Sequence, residues 1–279
     1  MEIKAVVFDL DKTILRSDET ISDETVEILE RAHQQGTELV ICTGRTQTAA
    51  AYAVERLKNV SYIISHAGCV ITDGRTGEEV YRVSLPRALA VEISEIADRH
   101  GVPFVEGMSS GTSIVSEKSM RIAETSCFSQ KYIDLIKRDI IIPEDLTEFI
   151  RRNDIVELDK FFMLTENQEK ADALYADFCA RDAYTVLVPM PSSVEVLSKG
   201  IDKGTGVKEL AKLLNIGLEN IMVAGDSDND YSMFLPEVFK VAVGNAIPSI
   251  LEAADYIAPT NDEDGVAYAV KKFVLKEET

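Results

Sequence analysis

Val6-Val7-Phe8-Asp9-Leu10-Asp11-Lys12-Thr13 opens the chain with an apolar, β-branched run that ends in two aspartates, and Val223-Ala224-Gly225-Asp226-Ser227-Asp228-Asn229-Asp230 repeats the pattern far downstream. Each run reads as a buried strand. Each acidic cluster then falls at the strand's carboxyl end, where open α/β sheets bind their ligands. In an extended segment side chains alternate, so Asp9 and Asp11 share one side and Phe8 and Leu10 the other. Asp, Asn and Ser are also ordinary turn residues, so either cluster alone fits a solvated loop; together they point to one site. Close carboxylates repel, and if Asp226 joins the first two, neutral pH demands protons or a cation in compensation. An all-carboxylate, thiol-free set suits a hard ion, Mg²⁺ above all when a phosphate oxygen completes its coordination.

Glu38-Leu39-Val40-Ile41-Cys42-Thr43-Gly44-Arg45 is a third strand-to-loop transition. Thr43 and the N–H groups around Gly44 can hold phosphate oxygens, with Arg45 adding charge. In Lys199-Gly200-Ile201-Asp202-Lys203-Gly204-Thr205-Gly206-Val207, a lysine precedes a helix expected over 207–214. Lysine at a helix N-terminus opposes the macrodipole, and an anion beside Lys203 resolves the conflict. Turn formation at Thr43-Gly44 and solvation of Lys203 are the plainer alternatives.

The alternation around these motifs is that of a parallel sheet. Ser22 is placed to cap a helix that ends near Gln35 before Gly36. A second helix over 46–57 leads to a strand over 62–65, giving strand, helix and strand in right-handed succession. From residue 83 the pattern changes to an α+β layer: a helix over 86–99, a hairpin of 102–106 with 112–116, and no assigned element over 117–142. Pro143 fits the first position of a helix to Arg152, and strands over 160–164 and 184–188 flank a helix over 167–181. The expected organisation is a Rossmann-like core of residues 1–82 and 190–279 around an inserted α+β layer of 83–189. Pro189 and Pro191 stiffen the return, and Val194-Glu195-Val196-Leu197 is the first core strand after it.

Composition narrows the function. A formal charge of −19 over 279 residues repels nucleic acid and anionic membranes. It repels a phosphorylated substrate as well, so concentrated cations are required where one binds. Cys42, Cys69, Cys127 and Cys179 form no metal-type spacing and read as free thiols of a cytoplasmic protein, with Cys42 as core packing. A strand begins almost at Met1, leaving no room for a signal peptide, and no apolar run approaches membrane-spanning length.

Taken together, these motifs resemble the haloacid dehalogenase superfamily of phosphatases. Asp9-Leu10-Asp11-Lys12-Thr13 matches its DxDxT motif, Thr43 its second, Lys203 its third and Gly225-Asp226-Ser227-Asp228-Asn229-Asp230 its GDxxND motif. Thr43-Gly44-Arg45, Gly200-Ile201-Asp202-Lys203-Gly204, Val243-Gly244-Asn245-Ala246 and the late run from Ala254 through Asn261, Glu263, Asp264 and Gly265 narrow the likeness to the Cof-type subfamily with its large α/β cap. Ala67 departs from that pattern by standing where an Asn is usual, with His66 beside it expected to be solvated or capping.

The resemblance implies a Mg²⁺-dependent phosphomonoester hydrolase that acts on small phosphorylated metabolites such as sugar phosphates, through an aspartyl-phosphate. Asp9 would be the nucleophile and Asp11, held protonated by crowded neighbours, the general acid and base. Thr43, Gly44, Arg45, Lys203 and Asn229 would bind phosphate. The metal would rest on Asp9, the Asp11 carbonyl and Asp226, with Asp230 orienting Lys203 or a metal-bound water. A phosphomutase or phosphotransferase would share these motifs, and a phosphoacceptor switch would share the acidic cluster, Thr and Lys. A monomer is expected.

Overall fold

The computed structural model describes residues 2–53, 55–110, 112–125, 133–134, 137, 140–152, 157–235 and 237–278. Five strands come first: β1 (Ala5–Phe8), β2 (Glu38–Cys42), β3 (Tyr62–Ser65), β4 (Val70–Asp73) and β5 (Glu79–Arg82). Six follow: β6 (Phe104–Ser109), β7 (Thr112–Val115), β8 (Ile140–Ile141), β9 (Lys160–Leu164), β10 (Tyr184–Leu187) and β11 (Ser193–Ser198). The last are β12 (Ile221–Gly225), β13 (Phe239–Ala242) and β14 (Tyr256–Ile257). The chain divides into two compact units, Met1–Arg82 with Asp202–Thr279, and Val83–Ile201.

The first unit is an α/β sheet of eight strands in the order β14-β13-β12-β1-β2-β3-β4-β5. Strands β14 through β3 run parallel, and β4 and β5 add an antiparallel hairpin at one edge. The chain walks outward from β1 to β3, then restarts on the other side of β1 at β12. The order therefore reverses between β1 and β12, and such a switch point opens a crevice at the carboxyl ends of the strands. Phe8 lies opposite both Ala224 and Ile41, so Asp9, Cys42 and Gly225 stand level there.

Both faces of these central strands are covered, which is why they read as continuous apolar runs. Val6 and Phe8 join Ile41 and Met222 in one cluster, whereas Ala5 and Val7 join Val40, Val223, Val207 and Leu210 in the other. Full burial of a side chain such as Phe8 stabilises by about 1.5–3 kcal/mol. Helix Asp23–Gln34 starts where Ser22 Oγ accepts the Thr25 N–H at 2.9 Å. Gly36 follows it at φ +92°.

The second unit is a six-stranded sheet, β10-β11-β9-β6-β7-β8, antiparallel apart from the β7–β8 pair. Helices Arg87–Arg99, Leu146–Arg152 and Gln168–Cys179 share a core with it through Ile93, Ile150, Leu174, Phe178, Phe161 and Val196. Strand β11 corrects the sequence reading. Glu195 pairs with Phe162 on one side and Leu187 on the other, so Val194–Leu197 completes the second sheet instead of reopening the core. The chain re-enters the first unit at Asp202.

Smaller corrections are local. The helix expected from Pro143 begins at Leu146, because the Asp145 carboxylate takes the Glu148 N–H at 2.7 Å. The helix expected over 46–57 spans Gln47–Ala53. The stretch left without an element contains helix Glu117–Thr125 and β8. Cys42 and Cys69 are buried free thiols and Cys179 an exposed one, while Cys127 lies outside the described residues.

Candidate active site

Asp9 leaves β1 and Asp226 leaves β12, so the two carboxylates flank the switch point. Between them comes Lys203, the first residue of helix Lys203–Leu214, which begins four residues earlier than its apolar pattern suggested because Asp202 caps it by accepting the Thr205 N–H at 2.7 Å. Lys203 Nζ donates to Asp9 Oδ1 and to Asp230 Oδ1, both at 2.6 Å, with Asn229 Oδ1 at 3.5 Å. Its ammonium is fully buried.

Close packing fixes that lysine. A Cβ on Gly68, which is held at φ +105°, would stand 2.0 Å from the Asp202 carbonyl oxygen, and one on Gly204 would stand 1.9 Å from the Ser232 carbonyl oxygen. Two bare backbones thus let the helix start sink between its neighbours. Ala67 and His66, which precede Gly68, both take left-handed backbone, at φ +54° and +51°. Asn tolerates that conformation better than Ala does, which gives a conformational reason for the usual residue at position 67. His66 is fully buried, not solvated.

Asp230 has two tasks. One oxygen meets Lys203, and Oδ2 accepts the Asp226 and Ser227 N–H groups at 2.9 and 3.1 Å. With both oxygens engaged it orients the lysine and the turn. Asp226 accepts from Thr13 Oγ1 at 2.9 Å, a tie between the two distant acidic motifs that sequence reading missed; its only signal was the conjunction of Thr13 with the first motif. Asp9, Asp226 and Asp230 bring carboxylate oxygens within 4.8 Å of one another.

Burial pushes the Asp9 carboxyl up to about 8, with Lys203 opposing and Asp230 adding to the shift. Burial also raises Asp226 to about 6, and Asp230 adds to it. Although burial disfavours the Lys203 ammonium, Asp230 and Asp9 hold its pKa above the lysine range. Burial drives the Cys42 thiol upward, which leaves it without nucleophilic character.

Asp11 is not in this buried group. Its exposed carboxylate accepts a two-pronged ion pair from Arg45, with Nε at 2.9 Å from Oδ2 and the second prong to Oδ1. The crowding of carboxylates expected around Asp11 is found instead among Asp9, Asp226 and Asp230, and the cation expected to meet phosphate faces Asp11. Thr43 is buried after β2 and accepts the Arg45 N–H at 3.2 Å across Gly44.

The donor set fits a divalent cation. It is all oxygen, and three clustered carboxylates against one ammonium leave two negative charges, which a divalent cation would offset.

A Rossmann-like sheet with an acidic, lysine-bridged site at its switch point is an α/β fold with its candidate site where such sheets bind ligands. The sequence profile of the haloacid dehalogenase-like hydrolases matches residues 6–270, and the chain belongs to that family. It is 28% identical to the 5-amino-6-(5-phospho-D-ribitylamino)uracil phosphatase YcsE of Bacillus subtilis, covering 99% of this chain and 97% of the relative. To phosphatase YwpJ of the same organism it is 27% identical, covering 96% and 99%. A haloacid dehalogenase-like hydrolase from Bacteroides thetaiotaomicron superposes with a TM-score of 0.81 at 27% identity, over 97% of this chain and 99% of that one.

Proposed function

We propose that the protein is a magnesium-dependent phosphatase that hydrolyses small phosphorylated metabolites, such as sugar phosphates, through an aspartyl-phosphate. The observation that carries this reading is the buried Asp9 carboxylate, set at the switch point and bridged at 2.6 Å to a fully buried lysine. Phosphatase relatives that align over nearly the whole chain support it.

Asp9 attacks phosphorus in line, its new O–P bond forming as the ester P–O bond breaks. Asp11 gives its proton to the departing oxygen, a contribution typically of about 10² to 10⁴ in rate. Water then attacks the same phosphorus and returns a proton to Asp11, and the bond to Asp9 breaks to release inorganic phosphate. Before acting as acid, Asp11 must exchange its ion pair with Arg45 for a proton. A substrate phosphate at Arg45 supplies the competing anion. Lys203 and Thr43 offset charge on the transferring group, with Asn229 and Asp230 holding Lys203 in place. Mg²⁺ held by Asp9, Asp226 and the Asp11 carbonyl would polarise a phosphoryl oxygen and neutralise its charge.

These parts belong to the first unit, and the choice of leaving group falls to the second. The acidic charge favours a small-molecule substrate over nucleic acid, in a cytoplasmic and monomeric enzyme. The test is phosphate release from a panel of phosphorylated metabolites and one aryl phosphate, with and without Mg²⁺. Release with Mg²⁺, together with trapping of phosphate on Asp9, is expected; no release from any ester overturns the reading.

A further inference from the structure

The late motifs around Asn245 and Asn261–Asp264 have no part in the chemistry above, yet they hold the segment that carries Asp11. Residues 10–14 form an irregular turn in which Asp11 is extended, at φ −72° and ψ 120°, and Lys12 is left-handed, at φ +60° and ψ 8°. A lysine has no intrinsic reason to adopt that conformation, and such a residue persists only where its surroundings over-determine it.

Three grips do so. Asn245 Nδ2 donates to the Lys12 carbonyl at 2.8 Å. Asn261 Nδ2 donates to the Leu15 carbonyl at 2.9 Å, and the Asn261 N–H donates to Asn245 Oδ1 at 2.9 Å, so the two amides act as one unit. The Asp264 carboxylate takes the Arg16 guanidinium in a fork and accepts from Thr25 Oγ1 at 3.1 Å. A capping box of Thr260 with Glu263 shapes the turn that presents Asn261.

We propose that Asn245, Asn261 and Asp264 are positioning residues that clamp residues 12–16, hold Lys12 left-handed, and thereby aim the Asp11 carboxylate. The clamp itself is independent of the chemistry, but its catalytic consequence rests on Asp11 acting as general acid. Loss of the clamp lets Lys12 relax to ordinary backbone and swings Asp11 away from the leaving oxygen. Leaving groups that need protonation suffer most.

The test compares an alkyl phosphate with an aryl phosphate, and follows amide hydrogen exchange over residues 10–17, in wild type, Asn245→Ala, Asn245→Asp and Lys12→Gly with Asn245→Ala. Asn245→Asp keeps the acceptor for Asn261 but sets an oxygen against the Lys12 carbonyl, so it breaks one grip only. Each single variant should speed exchange in this segment. Each should lower kcat on the alkyl phosphate by about 10- to 100-fold, the usual effect of losing an outer hydrogen-bond partner, with a far smaller loss on the aryl phosphate and little change in KM. Adding Lys12→Gly should restore most of kcat, because glycine takes φ near +60° unaided. Unchanged exchange in the single variants, equal losses on both esters, or failure of the glycine rescue overturns the proposal. Faster local exchange in a protein that hydrolyses neither ester upholds the clamp and removes the phosphatase reading.

Discussion

Each unit buries a lysine in an ion pair, in opposite circumstances. In the second unit Lys160 meets Glu195 across adjacent strands β9 and β11, inside the sheet. In the first, Lys203 stands at a helix start beyond the ends of β1 and β12 and is shared by Asp9 and Asp230, with Asp226 beside them. Among the described residues, the group of three carboxylates close enough to share an ion lies in the first unit. A buried pair made across two strands is a structural solution whose net worth is small, although breaking it is costly. An acidic excess that needs protons or a cation is instead the mark of a site that binds something.

The largest expected effect tests that contrast at Asp9. Asp9→Asn should lower phosphate release by at least about 10⁴-fold, as loss of a nucleophile does elsewhere. Because the folded Asp9 pKa is raised, to about 8, its contribution favours folding below its unfolded value and is lost as pH rises toward 8. The metal-free variant should therefore melt no lower than wild type at pH 8.5. A clear drop in Tm would mean that Asp9 is structural.

Lys203→Met should cost roughly 10² to 10³ in kcat, the scale of a lost electrostatic partner. It should also destabilise by about 3–5 kcal/mol, by stranding buried carboxylates. Lys199→Met removes only the exposed pair with Asp182 and should change neither activity nor urea midpoint. The reverse ranking would mean that the lysine motif is shifted by four residues.

The second unit gives the converse test. Lys160→Met should destabilise by about 3–5 kcal/mol, and adding Glu195→Leu should recover most of it, with aryl-phosphate kcat changing little throughout. A large loss of kcat from the double variant would break the comparison by giving that pair a part in the chemistry.

The smallest effect is in pH. Burial raises Asp9 to about 8 and Asp226 to about 6, so a cation must displace protons at pH 6 that are largely gone at pH 8.5. Mg²⁺ should thus raise Tm by a few degrees more at pH 8.5 than at pH 6, following the affinity gained as those protons leave. Equal shifts at both pH values would place the ion elsewhere.

Much of the first unit was legible because its signals are local. Continuous apolar runs ending in Asp9, Thr43 and Asp226, alternating with helices, specify strands buried on both faces and point to their carboxyl ends. Sheet membership was less legible. Val194–Leu197 reads equally as a core strand or a strand of the second sheet, since an apolar run does not name its partner. Pairing with Phe162 and Leu187 decided it. The β4–β5 hairpin went unrecognised for a related reason: its outer strand is half exposed and carries polar residues.

The sequence by itself determined which residues could do chemistry, because side-chain type and strand ends are set by local composition and period. Only tertiary structure decided how their charges are shared. It turned Asp11 toward Arg45, committed both Asp230 oxygens, buried His66, and brought Asn245 and Asn261 onto the backbone after β1. Those outcomes depend on distances between segments up to 246 positions apart. A one-dimensional pattern carries no term for such distances, and in a buried site they fix which charge each carboxylate meets.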